Sequence, residues 1–195
     1  IAVVLVVAAY ALGTFPSAAI IAGKKNLDIT KVGSGNPGAS NVIRNLGWKT
    51  GLAVFLLDMA KAAIAVGLAW IVTDDRHDPL SYMCLFAAIL GHSYPVTRKF
   101  KGGKGVATAG GAMIALYPLL GVAMTLLWLV TAKVTKKASL GSLAIAIGLP
   151  VSQIIIGRPT GEVLTGVGLC AFVVWRHIPN LKRLVAGNET SLKTK

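Results

Sequence analysis

The 195 residues are 54% hydrophobic and only 14% charged, against about 25% charged in an ordinary soluble domain. With a mean hydropathy of +0.69, the chain is not a disordered one, which needs low hydrophobicity and high charge. Nor does it suit a soluble domain, which at this size lacks the interior to hide so much apolar surface. The 20 Lys and Arg against 7 Asp and Glu need not mean nucleic-acid binding, because in a bilayer protein cations gather in cytoplasmic loops above anionic lipid.

Crossing about 30 Å of hydrocarbon takes roughly 20 apolar residues. Residues 1–22 supply the first such stretch. The chain begins at Ile1, and this stretch has neither a basic leader nor a small-residue cleavage signal. A span is therefore expected, not a signal peptide. A basic loop, 24–49, follows. Residues 51–73 are the second stretch, with Asp58 and Lys61 inside it. An i,i+3 pair shares a helix face and can neutralise itself. Asp58 is expected to anchor a cytoplasmic loop and Lys61 to snorkel. After the acidic loop of Asp74, Asp75 and Asp78 comes a third stretch, 79–94.

The stretch 106–132 is broken at Tyr117-Pro118. Arg98, Lys99, Lys101 and Lys104 precede it, and Lys133, Lys136 and Lys137 follow it. Both flanks are basic, so both belong in the cytoplasm. Proline removes a helix hydrogen bond, so two short helices meeting as a hairpin at Pro118 are expected. Stretches 140–156 and 163–175 complete the set, and the tail from Arg176 is basic. The expected architecture is all-α: one domain over 1–195, a polytopic membrane bundle of about seven helices. The N-terminus lies outside and the C-terminus in the cytoplasm. On that map, of the 20 cations only Arg76, Arg158 and Lys61 lie away from the cytoplasmic face. Cys84 and Cys170 sit in apolar runs without metal-ligand spacing and read as buried hydrophobes.

Three polar segments fall on that one face. The first runs from Gly33 to Gly47 and includes Ser34, Gly35, Asn36, Gly38, Asn41 and Arg44. It contains a formal G-x-G-x-x-G, but without the strand before it and the acid beyond it that dinucleotide binding requires. Its glycines allow backbone N–H groups close to an anion. A helix beginning near Gly38 would aim its positive end at the same place. The second contains Lys101-Gly102-Gly103-Lys104-Gly105 before an apolar helix. It is no Walker A loop, since Arg98 stands where that motif has its first glycine and Gly105 where it has Ser or Thr. It still offers an anion site. The third contains Arg176, His177, Asn180, Arg183, Gly187 and Glu189. His177 could bind phosphate or move a proton, Asn180 could orient a hydroxyl, and Glu189 could pair with an arginine and hold loops together. Ser139 and Ser142 fall at a helix start, where capping is the ordinary role; either could also face the basic pocket.

Together, Gly33 to Asn41, Gly102 to Thr108, and Arg176-His177 with Asn180, Arg183, Gly187 and Glu189 resemble the three cytoplasmic motifs of the bacterial membrane acyl-phosphate:glycerol-3-phosphate acyltransferases. Ser40 stands where that family often has Thr. The resemblance implies transfer of a fatty acyl group from acyl phosphate to the 1-hydroxyl of sn-glycerol 3-phosphate. It implies no metal, no cofactor, no nucleic acid and no obligate protein partner, at the bacterial inner membrane with the site facing the cytoplasm. The other glycerol-phosphate acyltransferases carry HxxxxD; here His77, His92 and His177 are followed five residues later by Tyr82, Thr97 and Lys182.

The residues suit that chemistry. Both substrates carry phosphate, and the chain offers two glycine-rich basic loops. Direct transfer is expected. Ser34, Gly35 and Asn36 would bind acyl phosphate and steady the carbonyl oxyanion. Arg44, Lys104, His177 and Asn180 would hold glycerol 3-phosphate. Gly33, Asn41, Lys101, Gly102, Gly103, Gly105, Ser142 and Glu189 would complete the substrate-binding set. The base is His177 or the substrate's own phosphate; the phosphate is favoured, since no carboxylate is evident to tune His177. The rival reading is a transporter of a small organic phosphate, which should show mid-membrane half-helices and repeat symmetry. A nucleotide-alcohol phosphotransferase would want clustered carboxylates for Mg²⁺, which the cytoplasmic segments lack.

Overall fold

The computed structural model describes residues 1–192, so Lys193 and Lys195 of the basic tail lie outside the described residues. Among the described residues all regular structure is helical. Two compact units divide the chain, one of Ile1–Pro118 and a second beginning at Leu119.

In the first unit α1 is Ala2–Gly13 and α2 is Ser17–Gly23. Pro16 separates them, and together they make one apolar segment of 22 residues. α3, Ala39–Leu46, is a short helix inside the basic loop, and α4, Trp48–Thr73, runs for 26 residues. At 1.5 Å per residue, α4 is about 39 Å long and more than covers the hydrocarbon. α5, Pro79–Ser93, starts at an Asp78 cap whose carboxylate accepts from Leu80 N at 2.8 Å. A 3-10 turn at Val96–Arg98 and α6, Val106–Leu116, follow.

α4 shows why these helices need a bilayer. Val54, Ala62, Ala65, Val66 and Ala69 are buried, yet Leu56, Leu57, Ile64, Leu68 and Ile71 lie exposed on its other faces. A helix apolar all round has lipid as its outer solvent. Small residues set the spacing inside. A methyl on Gly91 would strike the Tyr10 carbonyl, one on Gly13 the Ala88 backbone, and one on Gly111 the Met59 carbonyl. Such glycines let helix backbones touch where lipid supplies no hydrophobic drive.

In the second unit α7 is Pro118–Thr135, α8 is Ala138–Ile155, α9 is Thr160–Arg176 and α10 is Ile178–Val185. The break between α6 and α7 falls at Tyr117, with Pro118 opening α7, as the sequence suggests. α9 and α10 meet at His177 with a bend of 59°. Arg158 and Glu162 form a two-pronged pair at the start of α9, at 2.6 and 2.9 Å. Among the described residues, four helical segments are long and apolar enough to cross a membrane, or five when the bent pair counts as one. The sequence-based count was seven.

Candidate functional site

The first polar loop is seated on a small core. Ile29, Val42 and Val54 are buried with Ala18 and Ala22, and Val32 and Ala39 pack against them. Asn41, only 1% exposed, ties the loop to α3. Its amide donates to the carbonyls of Ile29 and Val32, both at 3.0 Å. Its oxygen accepts from Ser34 N at 3.1 Å and Asn45 Nδ2 at 3.2 Å. Two donors and two acceptor positions are the whole capacity of the side chain. Asn41 is therefore a brace, where the sequence suggested a substrate contact. Gly33 turns with φ +58°, and a Cβ there would strike the Asn41 oxygen, so glycine is required on both counts.

Three backbone N–H groups of this loop are also spent. Ser34 N donates to Asn41, Gly35 N to Val32 O at 3.0 Å and Gly38 N to Asn36 O at 2.9 Å. Ser34 and Gly35 thus do not present the backbone oxyanion donors the sequence suggested. What the loop presents is side chains: Ser34, which is exposed, and Asn36 and Arg44, both half-buried. α3 does begin where expected, with Gly38 as its cap residue.

The second loop is similar. Gly102 N donates to Ser93 O at 3.2 Å and Gly103 N to His92 O at 3.1 Å. A methyl on Gly102 would strike the His92 carbonyl, and one on Gly103 the imidazole Nε2. These glycines serve close seating of the loop on the end of α5, not N–H delivery to an anion. Lys101 is exposed, Lys104 half-buried and Gly105 buried. Gly105 turns with φ +81° into the start of α6. Tyr10 clips the loop's start, donating to Tyr94 O at 2.8 Å and accepting from Val96 N at 3.1 Å.

Behind both loops lies a group the sequence reading underrated. Asp58 and Lys61 are 2% and 5% exposed, and Lys61 Nζ stands 3.0 Å from the Asp58 carboxylate. Ser17 Oγ donates to Asp58, and Lys61 donates to Phe15 O at 3.3 Å. Lys61 does not snorkel; it is pinned inside the unit. Asp58 also lines a recess with Thr14, Ser17, Pro37, Arg98 and Gly103. The signal available in sequence was the intramembrane charge itself.

The second unit holds the third segment. His177 is buried at the α9–α10 bend, its Nδ1 2.8 Å from Val173 O. A carbonyl only accepts, so Nδ1 carries the proton and Nε2 of the neutral ring has the lone pair. Asn180 donates to Glu189 at 2.6 Å, and Arg183 Nε to the same carboxylate at 2.8 Å. Burial raises the Glu189 pKa, but the hydrogen bonds from Asn180 and Arg183 and the Arg183 charge outweigh it, and the carboxyl titrates below its ordinary 4.5. Each of its oxygens accepts one of these bonds, so Glu189 fastens the segment as the sequence suggested. Ser142 donates to Ala138 O at 3.0 Å and accepts from Trp128 Nε1 at 3.2 Å. Neither Ser139 nor Ser142 is the cap of α8, whose cap residue is Lys137. Among the described residues no three His, Cys, Asp or Glu side chains gather as metal ligands.

Comparison with known proteins gives one answer at every level. The glycerol-3-phosphate acyltransferase family model matches residues 3–187. A glycerol-3-phosphate acyltransferase of Desulforamulus reducens is 37% identical, over 99% of this chain and 96% of its own length. The crystal structure of PlsY, an integral membrane glycerol 3-phosphate acyltransferase, in its glycerol 3-phosphate form is similar with a TM-score of 0.90 and 37% identity. That match covers 97% of this chain and 94% of the other. The lysophosphatidic acid form of PlsY is similar with a TM-score of 0.88, 36% identity and the same coverage. The first two polar segments, and the third as far as Gly187, lie within the matched residues, and the chain belongs to the glycerol-3-phosphate acyltransferase family.

Proposed function

We propose that this protein transfers a fatty acyl group from acyl phosphate to the 1-hydroxyl of sn-glycerol 3-phosphate, giving lysophosphatidate and phosphate in phospholipid synthesis. The observation that carries the reading is the pair of braced glycine loops in the first unit, each presenting a cation, Arg44 or Lys104. Two phosphate-bearing substrates call for a group of cations and polar donors, which the two loops supply together. The related PlsY structures with glycerol 3-phosphate and lysophosphatidic acid support the acceptor and the product.

Because the N–H groups of Ser34, Gly35, Gly38, Gly102 and Gly103 are occupied, side chains carry much of the recognition. Ser34 and Asn36 donate to acyl phosphate, and Arg44 and Lys104 hold the phosphate of the acceptor. In the second unit His177 and Asn180 orient the glycerol hydroxyls, and Glu189 and Arg183 hold that segment in shape. The 1-hydroxyl oxygen attacks the acyl carbonyl carbon, the carbon–oxygen bond to phosphate breaks, and the leaving phosphate takes the hydroxyl proton. Acyl phosphate is already activated, so the step needs no covalent enzyme intermediate, no metal and no cofactor.

The chain crosses the bacterial inner membrane seven times: α1 with α2, then α4, α5, α6, α7, α8 and α9. The N-terminus is outside and the C-terminus in the cytoplasm, where the three segments face the acceptor. Charge supports this topology: Asp74, Asp75, Asp78 and Glu162 fall on one side and nearly all cations on the other. The two units act as one acyltransferase domain, as the unbroken family match across both supports. Purified protein given palmitoyl phosphate and sn-glycerol 3-phosphate, without CoA or added metal, is expected to form lysophosphatidate. Absence of product, with uptake of glycerol 3-phosphate into sealed liposomes, would make it a transporter instead.

A further inference from the structure

Lys61 Nζ lies 2.8 Å from Nδ1 of His92, and that Nδ1 lies 3.6 Å from the Asp58 carboxylate. An ammonium has three donors and no acceptor. The imidazole therefore accepts at Nδ1, and its proton sits on Nε2, the nitrogen beneath Gly103. Four elements meet here: Ser17 of α2, Asp58 and Lys61 of α4, His92 of α5, and the Gly102–Gly103 loop. His92 is 9% exposed. It holds the loop twice, by its carbonyl bound to Gly103 N and by its ring filling the space under the Gly103 Cα. The next residue is Lys104.

We propose that His92, locked by Lys61 and Asp58, is a positioning residue of acyl transfer. It sets the height of the Gly102–Gly103 peptide, and so the place of Lys104, without touching substrate. The inference rests on Lys104 holding glycerol 3-phosphate. A buried Asp–Lys pair is a costly thing to keep inside a membrane helix. Its use here is to fix one neutral ring in one tautomer and one orientation. A loop cation only a few tenths of an ångström out of place loses binding to its phosphate in ground and transition state alike. That loss appears in KM and not in kcat.

The test is a double-substitution cycle read separately as kcat and the KM of each substrate, using full-length protein purified in detergent. His92→Ala is expected to raise KM for glycerol 3-phosphate about tenfold, with kcat and the KM for palmitoyl phosphate within about threefold of the parent. Gly103→Ala, which drives a methyl into the ring, should raise the same KM at least as far. The pair together should be no worse than Gly103→Ala alone, because the ring that the methyl strikes is gone. If the two effects multiply, or if activity falls only with the folded fraction while both KM values hold, the proposal is overturned. Should His92→Ala not fold, His92→Asn keeps an acceptor for Lys61 but leaves Gly103 unsupported. It is expected to show the same selective KM rise, and an unchanged KM overturns the proposal. Failure of the parent protein to make lysophosphatidate would instead strike the acyltransferase reading itself.

Discussion

The two units hold their polar groups in opposite ways. In the first, loops rich in glycine are pinned by their own N–H groups to Asn41, Val32, His92 and Ser93, and the cations Arg44 and Lys104 project from a fixed backbone. In the second, few glycines are involved. Side chains hold one another: Asn180 and Arg183 on the Glu189 carboxylate, and His177 on a carbonyl one turn back. The first arrangement suits a dianion, which needs charge in a set place. The second suits neutral hydroxyls, which need oriented single hydrogen bonds. The contrast also shows why an acid is tolerated beside a phosphate-using segment. Glu189 is held by its own neighbours and fastens its segment.

The largest effect should come from removing a cation of the first unit. Lys104→Ala is expected to lower kcat/KM for glycerol 3-phosphate about 10²–10³-fold, as loss of a charge-assisted bond to phosphate does. A change under about threefold would remove the first unit's part in the comparison. Next, His177→Gln should cost about tenfold or less in kcat at saturating substrate, because the leaving phosphate is the base. A loss near the upper end of general-base effects, about 10⁴-fold, would move that role to His177.

Glu189 gives a pH test of the second unit. Its folded pKa lies below 4.5, so it adds stability at pH above the unfolded value. That stability is lost as pH falls through the lowered folded value. Thermal unfolding followed from pH 6 downward should show a parent that weakens in this acid range and a Glu189→Gln variant that is weaker at pH 6 and flatter below. Equal slopes would contradict the fastening role. The smallest effect is expected at Lys31. Its pair with Asp28 is exposed and 3.8 Å long, and Asp28 is held below its ordinary 3.8 first by the Thr30 hydroxyl and backbone. Lys31→Ala should leave the thermal unfolding midpoint unchanged.

Much of this was legible in the sequence. Apolar length marked the helices, Pro118 the break and Gly38 the start of α3, because each is a local property. The three segments were visible as polar islands in an apolar chain. The direction in which groups are spent was not legible. Gly102 and Gly103 suggest N–H groups turned to an anion, yet they face Ser93 and His92, about ten residues earlier. Asn41 and Glu189 looked like contacts to substrate, and the partners that engage them are set by the fold. Lys61 seemed free to snorkel, since nothing in the sequence of α4 reveals that Phe15 and His92 close over it.

The account is tested most directly by rapid-quench measurement of phosphate and lysophosphatidate together, using purified protein and palmitoyl phosphate with and without sn-glycerol 3-phosphate. Direct transfer predicts that both products appear one for one, only when both substrates are present, with no early burst of phosphate. A stoichiometric burst of phosphate in the absence of glycerol 3-phosphate, with acyl label left on the protein, would contradict it.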